Sequence, residues 1–126
     1  MAKVKYDMMD SDLASAVLSE AKSVYGLKTY ISLFSSAGVG CYGFKEEGFY
    51  CIATVELLER RLKIQSYNHK CAYKSGYICG DMTLQETKDK VFNELTLWKS
   101  ALNVTDLDVL IATPPCQGMS VANHKK

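Results

Sequence analysis

Apolar runs too short to be helices alternate along this chain with stretches of helical period, and that alternation leaves few folds open. The runs cover residues 29–34, 49–55, 77–79 and 108–112. The second of them, Phe-Tyr-Cys-Ile-Ala-Thr-Val, is rich in the aromatic and β-branched residues that suit a buried strand. Before the first run, Leu13, Val17, Ala21 and Val24 recur three or four apart. Asp10 or Ser11 caps the start of that helix and Gly26 ends it. A short helix is expected over 42–47, closed by Gly48. A basic one is expected over 57–67, with Leu58, Leu62 and Gln65 inward. The longest, over 84–102, carries Val91, Leu95, Trp98 and Leu102 on one face. Strands separated by helices predict an α/β fold with an open parallel sheet of about four strands. Right-handed crossovers would place helices on both of its faces.

A chain of 126 residues buries one core and no more. Its net charge of +1 argues against a surface devoted to coating nucleic acid. The five cysteines are odd in number, and none stands in a CxxC spacing, so neither a disulfide framework nor a zinc ribbon is expected. No apolar stretch is long enough for a membrane span, and no signal-peptide pattern follows the first lysines. The composition reads as a reduced, cytoplasmic domain.

Ligands of an open parallel sheet gather outside the carboxyl ends of its strands. All four ends here carry notable residues. The first run breaks into Ser35-Ser36-Ala37-Gly38-Val39-Gly40, where missing β-carbons let backbone approach a ligand closely. Glycines 38, 40 and 43 formally match the dinucleotide pattern GxGxxG, and a tight strand–helix turn explains them equally well. The second run ends at Glu56, suited to the two hydroxyls of a ribose. A carboxylate favoured by a helix N-terminus is the plainer account. The third ends at Gly80-Asp81, where Asp81 can accept from an adenine amine or simply cap the following helix. The fourth ends in Pro114-Pro115-Cys116-Gln117-Gly118, a stiffened loop that presents a thiol at the ligand edge. His124 is not expected to pair with Cys116, and His69 is read as a surface or helix-end residue.

Phe34-Ser35-Ser36-Ala37-Gly38-Val39-Gly40 with Gly43-Phe44, then Glu56, Gly80-Asp81 and Pro114-Pro115-Cys116-Gln117-Gly118-Met119-Ser120, resembles the DNA cytosine-5 methyltransferases over residues 30–120. Pro-Cys-Gln after an apolar strand is the most specific of these matches. The resemblance implies the Rossmann-like fold of S-adenosylmethionine-dependent methyltransferases, present in part. It implies S-adenosyl-L-methionine as cofactor, held by Phe34, Ser35, Ala37, Gly38, Gly40, Glu56, Asp81 and Pro114. Cys116 would be the catalytic nucleophile toward a cytosine flipped out of double-stranded DNA. On this reading residues 1–27 are an extension bearing an amphipathic helix. Residues 28–126 are then the N-terminal part of the catalytic domain.

The sequence departs from the family pattern at Ser32, where aspartate is common, and at Ser36 and Val39, where glycine is. The family's Glu-Asn-Val segment, its arginine segment, its DNA-reading domain and its closing helix are not among these residues. The expectation is a truncated piece, or one subunit of a split enzyme whose second chain supplies the rest, inactive alone. The sheet would then keep an unpaired edge and an uncovered apolar face, and the N-terminal helix would cover the closing helix's place. Rival readings are a non-catalytic S-adenosylmethionine-binding or assembly subunit and, from the glycines, a fragment of an NAD-linked oxidoreductase.

Overall fold

The computed structural model describes residues 11–36 and 38–113. Its elements run α1 (Ser11–Tyr25), β1 (Thr29–Leu33), α2 (Tyr42–Glu46), β2 (Tyr50–Glu56), α3 (Glu59–Tyr67), β3 (Tyr77–Cys79), α4 (Gln85–Leu102) and β4 (Val109–Ala112). The four strands form one parallel sheet in the order β3-β2-β1-β4. The chain steps outward from β1 to β3, then returns to the far side of β1. The order therefore reverses between β1 and β4, where such sheets open a crevice for ligands.

Alternation along the strands divides the core in two. On one face Ile31, Val55 and Ile78 pack with Leu18 of α1 and with Val91, Trp98 and Leu102 of α4. On the other, Tyr30, Cys51, Cys71 and Cys41 meet Phe44 of α2. Helices thus cover both faces, as right-handed parallel crossovers require. A bulge between Tyr30 and Ile31 shifts the pairing with β2 by one residue. Ile52 and Ala53 consequently both join the α4 side of the core, while Cys51 and Thr54 face the other way.

Side chains fasten the pieces. The Asp108 carboxylate accepts from the Thr29 backbone N–H at 2.8 Å, fixing β4 beside the start of β1. Lys22 of α1 donates to the carbonyls of Leu102 and Asn103 at 2.8 and 2.9 Å, meeting the negative end of α4. Asn103 takes the left-handed conformation that ends α4, with Val104 N–H returning to the Trp98 carbonyl. Gly26, at φ +72°, ends α1 in the same manner.

Two boundaries differ from the sequence reading. β1 stops at Leu33, because Phe34 turns into the left-handed region at φ +56° and leads the chain off the sheet. The helix expected from residue 57 begins at Glu59: Leu58 is extended at its cap, and Leu57 is exposed. Leu58 is therefore not an inward core residue. β4 forms an edge of the described sheet, and its Leu110 is 58% exposed on the apolar face.

Candidate cofactor site

The carboxyl ends of all four strands converge on one cavity of about 500 Å³. Its walls come from Phe34 and Ser36 after β1, Val55 to Leu58 at the end of β2, Gly80 to Met82 after β3, and Thr113 after β4, with Arg61 of α3. That volume falls in the range of small-molecule sites, about 300–1,000 Å³.

Glu56 is the charged centre of this cavity. Only 6% of it is exposed, and its carboxylate is held from two sides. Oε1 accepts from the Ser36 N–H at 3.0 Å, and Oε2 accepts from the Leu58 N–H at 2.7 Å. The first bond ties the glycine loop to β2. The second uses an otherwise orphaned donor at the start of α3. Arg61 approaches Oε1 at 3.8 Å. Each carboxylate oxygen retains acceptor capacity beyond its backbone partner, because an ionised carboxylate offers about four lone-pair sites. Burial holds the group in one orientation. The same hydrogen bonds serve the helix start, so the plainer account of Glu56 and the ribose reading describe one geometry.

Asp81 stands at the rim, exposed. Its Oδ1 accepts from the Thr83 N–H at 2.9 Å and the Thr83 hydroxyl at 2.8 Å, and these bonds hold its carboxyl below the usual carboxylate range. It therefore caps the turn ahead of α4 while lining the cavity. Gly80 lies over Thr87 so closely that a β-carbon would stand 2.6 Å from the Thr87 hydroxyl. Only glycine lets the loop reach this position. Leu57 and Met82 add apolar walls beside the two carboxylates.

The glycine loop is shaped from below by Gln65 of α3, which is 1% exposed. Its amide donates to the Ser35 hydroxyl at 2.8 Å and to the Ser36 carbonyl, and its carbonyl accepts from the Thr54 hydroxyl at 2.7 Å. Ser35 in turn hydrogen-bonds the Val55 carbonyl through both its N–H and its hydroxyl. Gly38, at φ +85°, sits where a β-carbon would be 3.0 Å from Gln65 Cγ. Gly40 has open space at the same test, so nothing in the loop's packing demands glycine there. Ser36 takes φ +53°, a conformation glycine adopts more cheaply. Ser32 is fully buried and meets the Cys41 thiol at 3.2 Å, a neutral pairing.

The structure brings Phe34, Glu56 and Asp81 to the walls of one strand-end cavity, whereas Ser35 is turned to Gln65 and the Val55 carbonyl and Gly38 lines a separate cavity beside Gln65. Ala37, Pro114 and Cys116 lie outside the described residues. Arg61, Leu57, Met82 and Thr113 were not singled out from the sequence, and Gln65 was expected only to face inward. A signal for Gln65 was present: a polar amide three residues after Leu62, on the apolar face of a helix, must find buried partners. Among the described residues no group of histidine, cysteine and carboxylate side chains is arranged to hold a metal ion, and no helix is long and apolar enough to cross a membrane.

Comparison with known proteins adds an independent line. The family model of C-5 cytosine-specific DNA methylase matches residues 28–126. The type II methyltransferase M1.HgaI of Avibacterium volantium is 38% identical over 108 residues, covering 83% of this chain and 26% of the relative. The type II methyltransferase M1.HphI of Haemophilus parahaemolyticus is 32% identical over 94 residues, covering 75% of this chain and 22% of the relative. The chain therefore spans about a quarter of the length of these curated relatives. No solved structure gives a significant match.

Proposed function

The chain belongs to the C-5 cytosine-specific DNA methylase family, and on that premise we propose that it is the cofactor-binding and nucleophile-bearing part of a DNA cytosine-5 methyltransferase. The observation that carries this reading is the buried, doubly tethered Glu56 at a cavity whose other walls are the glycine loop, Asp81 and two apolar side chains. The donor set fits S-adenosyl-L-methionine. Glu56 accepts from the ribose hydroxyls, Asp81 from the adenine amine, and Leu57 and Met82 flank the adenine ring. Phe34, Ser35, Ala37, Gly38 and Gly40 belong to the loop assigned to the methionine part, and Pro114 belongs to the same cofactor-binding set. When bound, the cofactor supplies an electrophilic methyl group.

Cys116 acts on the other reactant. Its thiolate adds to C6 of a cytosine extruded from double-stranded DNA, and the C5–C6 π electrons become available at C5. After methylation, loss of the C5 proton and expulsion of the thiolate restore the ring and the enzyme. Three peptide units separate Cys116 from Thr113, a reach of at most about 11 Å. The assigned nucleophile is therefore close in sequence to Thr113, a residue of the cavity wall.

Residues 28–126 form the N-terminal part of the catalytic domain, with residues 1–27 as an extension. The groups that protonate or polarise the base, and those that read DNA, come from a further polypeptide segment, in a second chain if the enzyme is split. The relatives' names favour a restriction-modification setting. The rival of a non-catalytic cofactor-binding subunit predicts that Cys116→Ser leaves a reconstituted enzyme active.

Titration calorimetry with this chain tests the cofactor site. S-adenosylmethionine should bind and NAD should not, and Glu56→Ala should weaken binding at least tenfold, the loss of one or two charge-assisted hydrogen bonds at about 1.5–3 kcal/mol each. Equal binding of NAD, or an Ala variant that binds as the parent does, would reject the assignment. A methyl-transfer assay with the chain alone should give no turnover.

A further inference from the structure

Two buried thiols face each other on the side of the sheet away from α4. Cys51, near the start of β2, and Cys71, in the segment between α3 and β3, are partners in a parallel β-bridge. Both belong to the small core cluster of Tyr30 and Cys41, and neither is more than 1% exposed. The Cys71 thiol donates to the Cys51 sulfur at 3.6 Å. Among the described residues no other two thiols are hydrogen-bonded. Cys41 meets the Ser32 hydroxyl, and Cys79, at the surface, donates to the Leu57 carbonyl.

The backbone already suits a bond between them. Neighbouring strands stand about 4.7–4.9 Å apart, inside the Cα separation of about 4.4–6.8 Å that disulfides require. Bringing the sulfurs from 3.6 Å to about 2.0 Å is a small shift shared by two side chains. The pair is also asymmetric. Burial raises the Cys51 thiol, but the hydrogen bond from Cys71 and the Lys70 ammonium outweigh it, so Cys51 lies below the usual thiol value. Burial, and then the hydrogen bond given to Cys51, push Cys71 up. Cys51 is thus the member that forms the thiolate, and Cys71 holds the proton.

We propose that Cys51 and Cys71 are a peroxide-responsive pair that closes to a reversible disulfide, locking β2 to the segment that leaves α3. Hydrogen peroxide, little larger than water, is the oxidant. It enters by the adjoining cavity of about 240 Å³ between α2, α3 and the sheet, whose walls include Tyr30 and Cys41 of the same cluster. The Cys51 thiolate attacks one peroxide oxygen. The O–O bond breaks, hydroxide leaves, and Cys51 becomes a sulfenic acid. Cys71 gives its proton to that hydroxide, and its sulfur attacks the Cys51 sulfur. The S–S bond forms, and a second hydroxide leaves and recovers the proton that Cys51 had released. The two thiols have lost two electrons, and the peroxide has become two waters. The locked segment carries Lys70, whose N–H holds the Gln65 carbonyl at 3.2 Å and whose ammonium holds the Thr54 hydroxyl at 3.0 Å.

The test treats the full, folded, reduced chain with increasing hydrogen peroxide, blocks the remaining thiols with N-ethylmaleimide and maps the cysteines by mass spectrometry. Exposed Cys79 gauges the oxidant dose. A Cys51–Cys71 cross-link is expected, lighter than the two thiols by two hydrogens and reversed by dithiothreitol. The oxidised chain should unfold several degrees higher than the reduced one, since the bond closes a loop of about 20 residues in the unfolded chain. That rise should vanish with dithiothreitol, be absent in Cys71→Ala and remain in Cys41→Ala. Should either variant fail to fold, the map of the parent chain decides alone. Both thiols still reduced when Cys79 is fully oxidised, a sulfinic acid on Cys51 in place of the cross-link, pairing through Cys41, or a cross-link formed only in denaturant would overturn the proposal.

Discussion

Gln65 sits beneath the glycine loop with both ends of its amide engaged, joining Ser35 and Ser36 of the loop to Thr54 of β2. Replacing it with leucine keeps the volume but strands the Ser36 carbonyl and loosens Ser35 and Thr54. We expect Gln65→Leu to cost about 2–3 kcal/mol in urea denaturation, the penalty for unsatisfied buried polar groups. A cost below about 0.5 kcal/mol would place the loop's support elsewhere. Ser36 tests the opposite sign. At φ +53° it pays a steric penalty that glycine avoids, so Ser36→Gly should stabilise by about 0.5–1 kcal/mol while its N–H still reaches Glu56. Glu94 supplies a pH test. Burial pushes its carboxyl up, against the pull of the Ser75 hydroxyl. A raised acid favours the protonated native state, so its contribution is present below the unfolded value near 4.3 and is lost as pH rises through the folded value. Glu94→Gln should therefore gain on the parent between pH 4 and pH 7.5, and denaturation midpoints at the two pH values check it. A difference independent of pH would contradict the assignment.

Among the elements, α1 shows how much a covering helix contributes without touching the site. Leu18 is wholly buried in the α4 side of the core, and Lys22 closes the carbonyl end of α4. Leu18→Ala should destabilise by about 2–5 kcal/mol, and Lys22→Met by about 1 kcal/mol, both read from chemical denaturation. The strands and helices were legible in the sequence because period and length agreed. Every run of β-branched or aromatic residues became a strand, and Gly26 and Gly48 stand where chain reversals occur. Where the reading failed, the cause lay in tertiary contacts. Leu58 fits a helical period, yet its N–H is claimed by Glu56, which holds it extended at the cap. Phe34 looked like the end of β1, but its left-handed turn carries the loop across to β2. For the site, Glu56, Asp81 and the glycine loop were visible as strand-end residues. Arg61 and Met82 were not, because only the folded crevice brings a helix surface and a post-strand loop to the same carboxylate.

At the largest scale, the described residues cover the sheet on both faces over β1 to β3 and far less over β4, whose residues alternate between half-buried and exposed. An exposed leucine on an edge strand favours association with other chains. The isolated chain should self-associate with rising concentration, and Leu110→Lys should suppress this in sedimentation experiments while changing stability by less than about 0.5 kcal/mol. Loss of fold in that variant would show that Leu110 serves the core instead.

The bulge in β2 acts as a one-residue frameshift in the strand's alternation. Below it, the chain reads in one phase, with Cys51 level with Tyr30. Above it, the phase is reset, and Thr54 comes level with Ser32. Without the inserted residue, Thr54 would turn toward the apolar packing of α4, and Val55 would face the amide of Gln65. A single position in the lower half of a strand thus decides which way its upper half looks. An insertion or deletion at Ile52, which is not part of the strand-end cavity wall, would invert the polarity of the ground on which the glycine loop stands.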